Sequence, residues 1–169
     1  GLFPSLGAGV DLNKYLNIES FDLLKVRVGY GVTGSLPRDN GLSQPIRGIV
    51  NEADGSVSTE LIRAANPDLK WESTIQYNFG IDYGFANNRV SGSLDFYYKT
   101  TNDLLIQIQA AQPAVQPFFW TNLDADIINQ GVELALNVVA VDKADFSWDI
   151  TGNVAYNDNV VQNCNCNID

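Results

Sequence analysis

The side chains that could perform chemistry are few in this sequence, and their spacing matches no catalytic motif. Histidine does not occur among the 169 residues, which removes the usual general base and every Ser-His or Cys-His arrangement. Paired carboxylates could in principle hydrolyse a glycosidic bond. The chain has twenty Asp and Glu residues, but none of them stands in a distinctive motif. These residue types therefore indicate a protein that is not an enzyme.

Two small groups could be considered as metal ligands. Cys164 and Cys166 are the only cysteines of the sequence. A bridge between them would be strained, and two thiolates alone make a poor zinc site, so we expect unpaired thiols or a tail of uncertain register. Asp124 and Asp126, near Asn122, could hold Ca²⁺ through their oxygens, but the loop lacks a recognised glycine spacing. We therefore predict neither a metal nor a cofactor.

Aromatic residues are the better candidates for a contact site. Phe118, Phe119 and Trp120 are adjacent in a long connection, where they expose apolar area unless a ligand, a partner or other loops cover it. Trp71 follows a turn at residues 66–68 and could stack on a sugar, although a structural role at the base of a loop is favoured. These four side chains are the predicted ligand- or partner-contact residues.

Charge and hydropathy exclude two classes of protein. The formal net charge is −10, and no cluster of Lys and Arg offers the surface that nucleic acid requires. The mean hydropathy is −0.08, and no run of about 18 apolar residues could form a membrane helix. A membrane β-barrel remains possible, since its alternating strands average to ordinary hydropathy.

Period-2 alternation of apolar and polar residues recurs along the chain and predicts an all-β, antiparallel fold. No segment has a convincing helical period. About six strands are predicted: an opening segment within residues 1–12, and the runs Leu24–Val32, Ile75–Phe85, Val90–Thr100, Gly131–Val141 and Phe146–Tyr156.

Alternation alone fits a soluble β-sandwich and a membrane barrel equally well. Strand length favours the barrel, because runs of ten residues or more match the ~9–11 that cross a bilayer. The connections favour it too: residues 86–89 and 142–145 are short, 13–22 are intermediate, and 33–73 and 104–130 are long, as in outer-membrane barrels. Asn87 and Asn88 suit a tight turn because Asn tolerates positive φ. Lys25, Arg27, Glu133 and Asp149 are predicted to face the lumen, where the cations could pair with the carboxylates.

Four stretches, in this order, closely resemble the SusC/RagA family of TonB-dependent outer-membrane transporters. They read LKVRVGYGVTGS, NPDLKWESTIQYNFGIDYGFANNRVSGSLDFYYKTTNDLLI, INQGVELALNVVA and FSWDITGNVAYNDNVV, and the similarity covers Phe3 to Val161. Ser35 and Asp124 depart from residues common in the family. The resemblance implies a place in the outer membrane, within a barrel of about 22 strands around a plug. It also implies import of oligosaccharides or peptides, and a SusD-like surface lipoprotein as partner.

We interpret residues 1–169 as an internal part of such a barrel domain, without the plug, the TonB box and the C-terminal strands. On this interpretation TonB would be contacted through a part N-terminal to the chain. The alternative from a different class is a secreted or surface β-sandwich, such as a carbohydrate-binding or adhesin module. Solubility separates the two, because a sandwich should be a soluble monomer and a barrel segment should need detergent.

Overall fold

The structure, a computed structural model, describes residues 2–16, 18–35, 41–109 and 118–164. Its elements, in chain order, are β1 (Ser5–Asp11), α1 (Leu12–Leu16), β2 (Leu23–Ser35), β3 (Ile46–Asn51), β4 (Val57–Arg63), β5 (Glu72–Phe85), β6 (Val90–Asn102), β7 (Leu104–Gln109), β8 (Phe118–Leu123), β9 (Asp126–Lys143) and β10 (Phe146–Gln162). The chain divides into two compact units. The sheet unit comprises residues 1–33, 74–100 and 127–161, and the hairpin unit comprises residues 34–73, 101–126 and 162–169.

The sheet unit is built on one six-stranded sheet with the order β1-β2-β5-β6-β9-β10. All six predicted strands are present, and five of them are longer than predicted. β2, β5 and β6 have 13, 14 and 13 residues, and β9 and β10 have 18 and 17. These lengths exceed the ~9–11 residues that a tilted strand needs to cross a bilayer.

The register of β1 and β2 separates an apolar face of the sheet from a polar face. Ala8 pairs with Val28 and Leu6 with Tyr30 on one face, while Gly9 pairs with Arg27 on the other. Residues directly opposite each other in an antiparallel pair share a face. Aromatic contacts continue the apolar face across the next strands, with ring centroids 5.3 Å apart for Tyr30–Tyr77 and 6.1 Å apart for Phe79–Phe96. The predicted alternation is therefore confirmed.

The apolar face of the sheet is left open. Among the described residues, the buried hydrophobic side chains are Leu42 and Ala125, at 3 and 4% exposure, and both belong to the hairpin unit. In the sheet unit, Val154 and Tyr156 are 71 and 70% exposed. An apolar face of this extent requires a partner surface or a lipid environment to cover it. Among the described residues, no helix is long and apolar enough to cross a membrane.

The connections at one end of the sheet are tight and well bonded. Ala86, Asn87 and Asn88 all have φ close to +57°, so the expectation of positive φ for the two asparagines is confirmed. The Asn88 N–H donates to Asp22 Oδ2 at 2.8 Å. The intermediate connection after β1 contains α1, a five-residue helix that the sequence did not predict, because one and a half turns are too short for a recognisable period.

Both long connections contain a β-hairpin that was not predicted. β3 pairs with β4 and β7 pairs with β8, each as an antiparallel two-stranded sheet. The β3–β4 turn is closed by Asp54, whose Oδ1 accepts from the Ser56 hydroxyl at 2.6 Å and from the Ser56 N–H at 2.9 Å. These two donors hold the pKa of Asp54 below its ordinary value. The β7–β8 hairpin carries three of the four residues predicted to contact a ligand or a partner.

Candidate functional site

The β7–β8 hairpin positions three of the four predicted contact residues. Trp120 pairs with Gln107 and Phe118 with Gln109, so these four side chains share one face of the hairpin. Phe119 pairs with Ile108 and lies on the opposite face. The three adjacent aromatics were expected to form one exposed patch in a loop. Because they lie in a strand, their side chains alternate between the two faces instead.

The two faces of this hairpin differ in exposure. Gln107, Gln109 and Phe118 are exposed, with Phe118 at 46%, and Trp120 is half-buried. The other face carries mainly apolar side chains, all of them half-buried: Leu104, Ile106, Ile108, Phe119, Thr121 and Leu123. We call the face with Phe118, Trp120, Gln107 and Gln109 the aromatic–amide face. It is the more exposed side of the hairpin.

The side chain of Asn122 fixes the hairpin to the segment before β5. Its Oδ1 accepts from the Lys70 N–H at 2.8 Å, and its Nδ2 donates to the Lys70 carbonyl at 3.0 Å. Nδ2 also donates to the Asp103 carbonyl at 2.7 Å. One carboxamide thus satisfies both backbone groups of Lys70, as a neighbouring strand would. This arrangement explains why an Asn is needed here, since a carboxamide is a donor and an acceptor at once.

Asn66 supports the same attachment from the other strand connection. Its Oδ1 accepts from the Asp68 N–H at 3.2 Å, which closes a local Asx turn. Its Nδ2 donates to the Trp120 carbonyl at 2.8 Å. Glu72 adds a further bond, because its Oε1 accepts from the Leu105 N–H at 2.9 Å. The NPDLKWE run is therefore an anchoring segment whose polar side chains hold the β7–β8 hairpin.

Trp71, the fourth predicted contact residue, lies in this anchoring segment and is 46% exposed. It directly follows Lys70, whose backbone is bonded to Asn122. The structure thus places Trp71 next to the point of attachment and not on the β7–β8 hairpin itself. Sequence reasoning missed the roles of Asn66 and Asn122. The Asn-Pro-Asp turn was a usable signal for the first, and no local pattern reveals the second.

Asp126 and Cys164, two of the residues considered above as metal ligands, have other partners in the structure. Asp126 accepts from Asn163 Nδ2 at 2.6 Å and also from Asn102. No group of three or more His, Cys, Asp or Glu residues within the described ranges is arranged to hold a metal ion. Cys164 is disulfide-bonded, so the expectation of an unpaired thiol there is wrong. Cys166 lies outside the described residues.

On the polar face of the sheet, Arg27 joins three strands. Its Nε and Nη2 each donate to a different oxygen of Asp82 at 2.8 Å, and Nη2 also donates to Asp95 at 2.8 Å. Arg27 was expected to pair with Glu133 or Asp149; it pairs instead with carboxylates on the two strands that follow β2 in the sheet. A bidentate Arg–carboxylate pair is among the stronger polar contacts that proteins form.

Glycine makes room for this charged cluster. A Cβ atom at Gly80 would lie 2.5 Å from Asp95 Oδ1 and 2.8 Å from Arg27 Nη2, so the guanidinium crosses β5 where a side chain is missing. Gly7, Gly9 and Gly29 are also among the residues that line a shallow recess of about 410 Å³ beside the cluster. The polar face therefore combines a fixed ion cluster with an open backbone surface, which suits a wall that borders water.

Comparison with known proteins agrees with this geometry. The family described as TonB dependent receptor-like, beta-barrel matches residues 1–166. TonB-dependent receptor SusC of Bacteroides thetaiotaomicron is 32% identical over 171 residues, covering 95% of this chain and 17% of that protein. TonB-dependent receptor P39 of Formosa agariphila is 31% identical over 170 residues, covering 95% and 16%.

Solved structures give the same result. A structure of the RagAB peptide transporter superimposes with a TM-score of 0.84 at 30% identity, covering 94% of this chain and 18% of that one. The RagAB peptide importer in the open-open state gives a TM-score of 0.87 at 29% identity, covering 98% and 18%. The chain thus spans less than a fifth of these relatives' length. With its antiparallel strands and a match over residues 1–166, it belongs to the TonB-dependent receptor β-barrel family.

Proposed function

We propose that this chain is a wall-and-loop segment of an outer-membrane transporter that imports nutrients with energy supplied through TonB. The observation that carries the proposal is the open apolar face of the sheet, which includes Val154 and Tyr156 at 71 and 70% exposure. In a barrel such a face is covered by lipid, and the opposite face borders the lumen. The family membership supports this assignment over the β-sandwich module, which would need a second sheet to cover the same face.

Within this function, the two units take different parts. The sheet unit supplies lipid-facing and lumen-facing wall, with Arg27 and its carboxylates on the lumenal side. The hairpin unit supplies extracellular loops, since the long connections of outer-membrane barrels lie outside the cell. Phe118, Phe119, Trp120 and Trp71 belong to these loops and are the proposed contact residues for a ligand or a partner.

The proposed partners follow from the relatives. The transporter would work with a SusD-like surface lipoprotein that contacts the extracellular loops, and TonB would act on a part of the protein that precedes residues 1–169. The plug and the C-terminal strands would likewise belong to the remainder of the barrel protein. The cargo class is an oligosaccharide or a peptide, consistent with one relative being described as a peptide importer.

The experiment that tests the proposal localises the protein in the wild-type strain and compares growth of that strain with growth of a strain from which the gene is deleted. We expect the protein in the detergent-extracted outer-membrane fraction. We also expect growth on at least one oligosaccharide or peptide mixture to be lost both in the deletion strain and in a strain without TonB. A protein recovered in the soluble or secreted fraction, with unchanged growth on every mixture, would support the β-sandwich alternative.

A further inference from the structure

We propose that three long side chains fix the register of the six-stranded sheet by crossing glycines. Each of them starts on one strand, lies over a glycine of the next strand in the sheet, and forms a hydrogen bond to the strand beyond. We call them the crossing side chains. They are Arg27 over Gly80 to Asp95, Tyr83 over Gly92 to Ala135, and Tyr97 over Gly131 to Asn157.

Each crossing requires that the residue beneath it has no side chain. A Cβ atom added to any of the three glycines would lie too close to the side chain above it. The distances from that Cβ to the Cζ atom of the crossing side chain are 2.9 Å for Gly80 and Arg27, 2.9 Å for Gly92 and Tyr83, and 2.7 Å for Gly131 and Tyr97. Carbon atoms in contact are about 3.5–4.0 Å apart, so glycine is needed at all three positions.

The far end of each crossing side chain is bonded to the third strand. The bonds run from Arg27 Nη2 to Asp95 Oδ1 at 2.8 Å, from the Tyr83 hydroxyl to the Ala135 carbonyl at 3.4 Å, and from the Tyr97 hydroxyl to Asn157 Oδ1. The strands joined in threes are therefore β2-β5-β6, β5-β6-β9 and β6-β9-β10. These sets overlap, so the crossings link every strand from β2 to β10 in this sheet.

Alternation of apolar and polar residues does not by itself fix the register of two strands. A slip of one residue turns every side chain to the wrong face, whereas a slip of two residues leaves all faces correct. A tight turn prevents the second kind of slip, and such turns join β5 to β6 and β9 to β10. The β2–β5 and β6–β9 junctions have long connections instead, and every crossing side chain spans one of these two junctions.

The residues around each glycine distinguish the native register from a slip of two. The positions two residues before and after each glycine carry side chains on the same face of the strand: Asn78 and Asp82 around Gly80, Val90 and Leu94 around Gly92, and Asn129 and Glu133 around Gly131. After a two-residue slip between β6 and β9, Tyr97 would meet Asn129 or Glu133 in place of Gly131. Its ring could not cross β9, and its bond to Asn157 would be lost.

The test traps the β6–β9 register in the full-length protein assembled in the outer membrane. The Val139 N–H donates to the Arg89 carbonyl at 2.7 Å, so the pair Arg89→Cys and Val139→Cys reports the native register. Arg89→Cys combined with Asn137→Cys or with Val141→Cys reports a slip of two residues. After mild oxidation, mass spectrometry of peptides measures the yield of each cross-link and separates it from the disulfide of Cys164.

The measured quantity is the ratio of slipped to native cross-link. Tyr97→Ala is expected to raise this ratio about tenfold, because it removes both the bond to Asn157 and the ring that excludes the slipped register. Tyr97→Phe keeps the ring over Gly131 and loses only the hydroxyl, and Asn157→Ala loses only the acceptor. Each of these two is expected to raise the ratio about threefold.

Tyr98→Ala is the matched control. Tyr98 is the next residue of β6 and is 40% exposed, but it is not among the atoms nearest to any glycine in the part of the chain that the structure describes. Its removal should leave the ratio unchanged. The proposal is overturned if Tyr97→Ala gives the wild-type ratio, or if Tyr98→Ala raises the ratio as much. If Tyr97→Ala does not assemble, a wild-type ratio in both Tyr97→Phe and Asn157→Ala overturns it.

Discussion

Asn122→Ala removes the attachment between the anchoring segment and the β7–β8 hairpin. The wild-type side chain makes three hydrogen bonds, with the Lys70 N–H at 2.8 Å, the Lys70 carbonyl at 3.0 Å and the Asp103 carbonyl at 2.7 Å. Each bond contributes about 0.5–1.5 kcal/mol net. Because the site is only partly buried and water replaces some of the lost contacts, we take the lower half of that range and expect about 2 kcal/mol in total.

The assay is hydrogen exchange at the Lys70 amide in the full-length protein that contains this chain. That amide is protected by its bond to Asn122 Oδ1. A loss of about 2 kcal/mol in the free energy of local opening corresponds to exchange about thirtyfold faster. Exchange should also rise at Leu105, whose N–H donates to Glu72 across the same attachment. Asn137→Ala, which removes an acceptor of Thr151 within the sheet unit, should leave the Lys70 rate unchanged.

A second substitution separates the donor role of the side chain from its acceptor role. Asn122→Asp keeps an acceptor for the Lys70 N–H but turns a carboxylate oxygen toward the carbonyls of Lys70 and Asp103. We expect exchange at Lys70 at least as fast as in the alanine variant, because two donations become repulsions. If Lys70 exchanges at the wild-type rate in either variant, Asn122 does not hold the anchoring segment against the hairpin.

Three other perturbations have definite expected outcomes. Gly80→Val should displace Arg27 and lower the free energy of unfolding of the barrel by about 1–3 kcal/mol. The loss should be seen as a lower urea midpoint in heat-modifiable electrophoresis. Gly29→Ala is the control and should leave the midpoint unchanged, because the added Cβ meets its nearest neighbour at 3.6 Å. Ala86→Gly should slow amide exchange in the turn between β5 and β6 about fivefold. The reason is that φ of residue 86 is +57°, an angle that glycine adopts without strain. An unchanged exchange rate would contradict this backbone conformation. The hydroxyl and the backbone N–H of Ser56 hold the pKa of Asp54 below its ordinary value, so its contribution to the β3–β4 turn is present at pH values above the ordinary carboxyl pKa and is lost as the pH falls through the lower folded-state pKa. Carboxyl chemical shifts measured by NMR should show Asp54 titrating at a lower pH than an ordinary aspartate.

The six strands of the sheet unit could be predicted because one face of the sheet is apolar and the other is polar, so apolar and polar residues alternate along each strand. Ile75 to Phe85 places apolar side chains on every second position, and the structure confirms the six strands that show this pattern. The β7–β8 hairpin was within reach of the same reasoning, since Leu104, Ile106 and Ile108 alternate with residues that include Gln107 and Gln109. It was missed because a long connection was expected to lack regular structure.

The candidate site depended on contacts that a sequence does not display. Asn122 and Lys70 are 52 positions apart, and their contact follows from how the hairpin lies beside the anchoring segment. The partners of Arg27 likewise depend on the stagger between β2, β5 and β6. Alternation placed Arg27 on the polar face correctly but could not choose between Asp82 and the predicted Glu133. Faces follow from local periodicity, whereas partners follow from register.

The Arg27 cluster joins strands that differ greatly in the chain entropy lost when they meet. β5 and β6 are separated only by the turn between Phe85 and Val90, whereas β2 and β5 are separated by the whole connection from Ser35 to Glu72. Loop closure costs about 0.6 kcal/mol more for each doubling of length, so the second pairing costs roughly 2 kcal/mol more than the first. Pairing of β5 with β6, which brings Asp82 and Asp95 together on one hairpin, therefore costs less chain entropy than the pairing that adds Arg27. The charge pairing thus lies at the β2–β5 junction, which follows the longest connection between neighbouring strands of the described sheet, and an attraction between these strands offsets part of the larger entropy cost of pairing them.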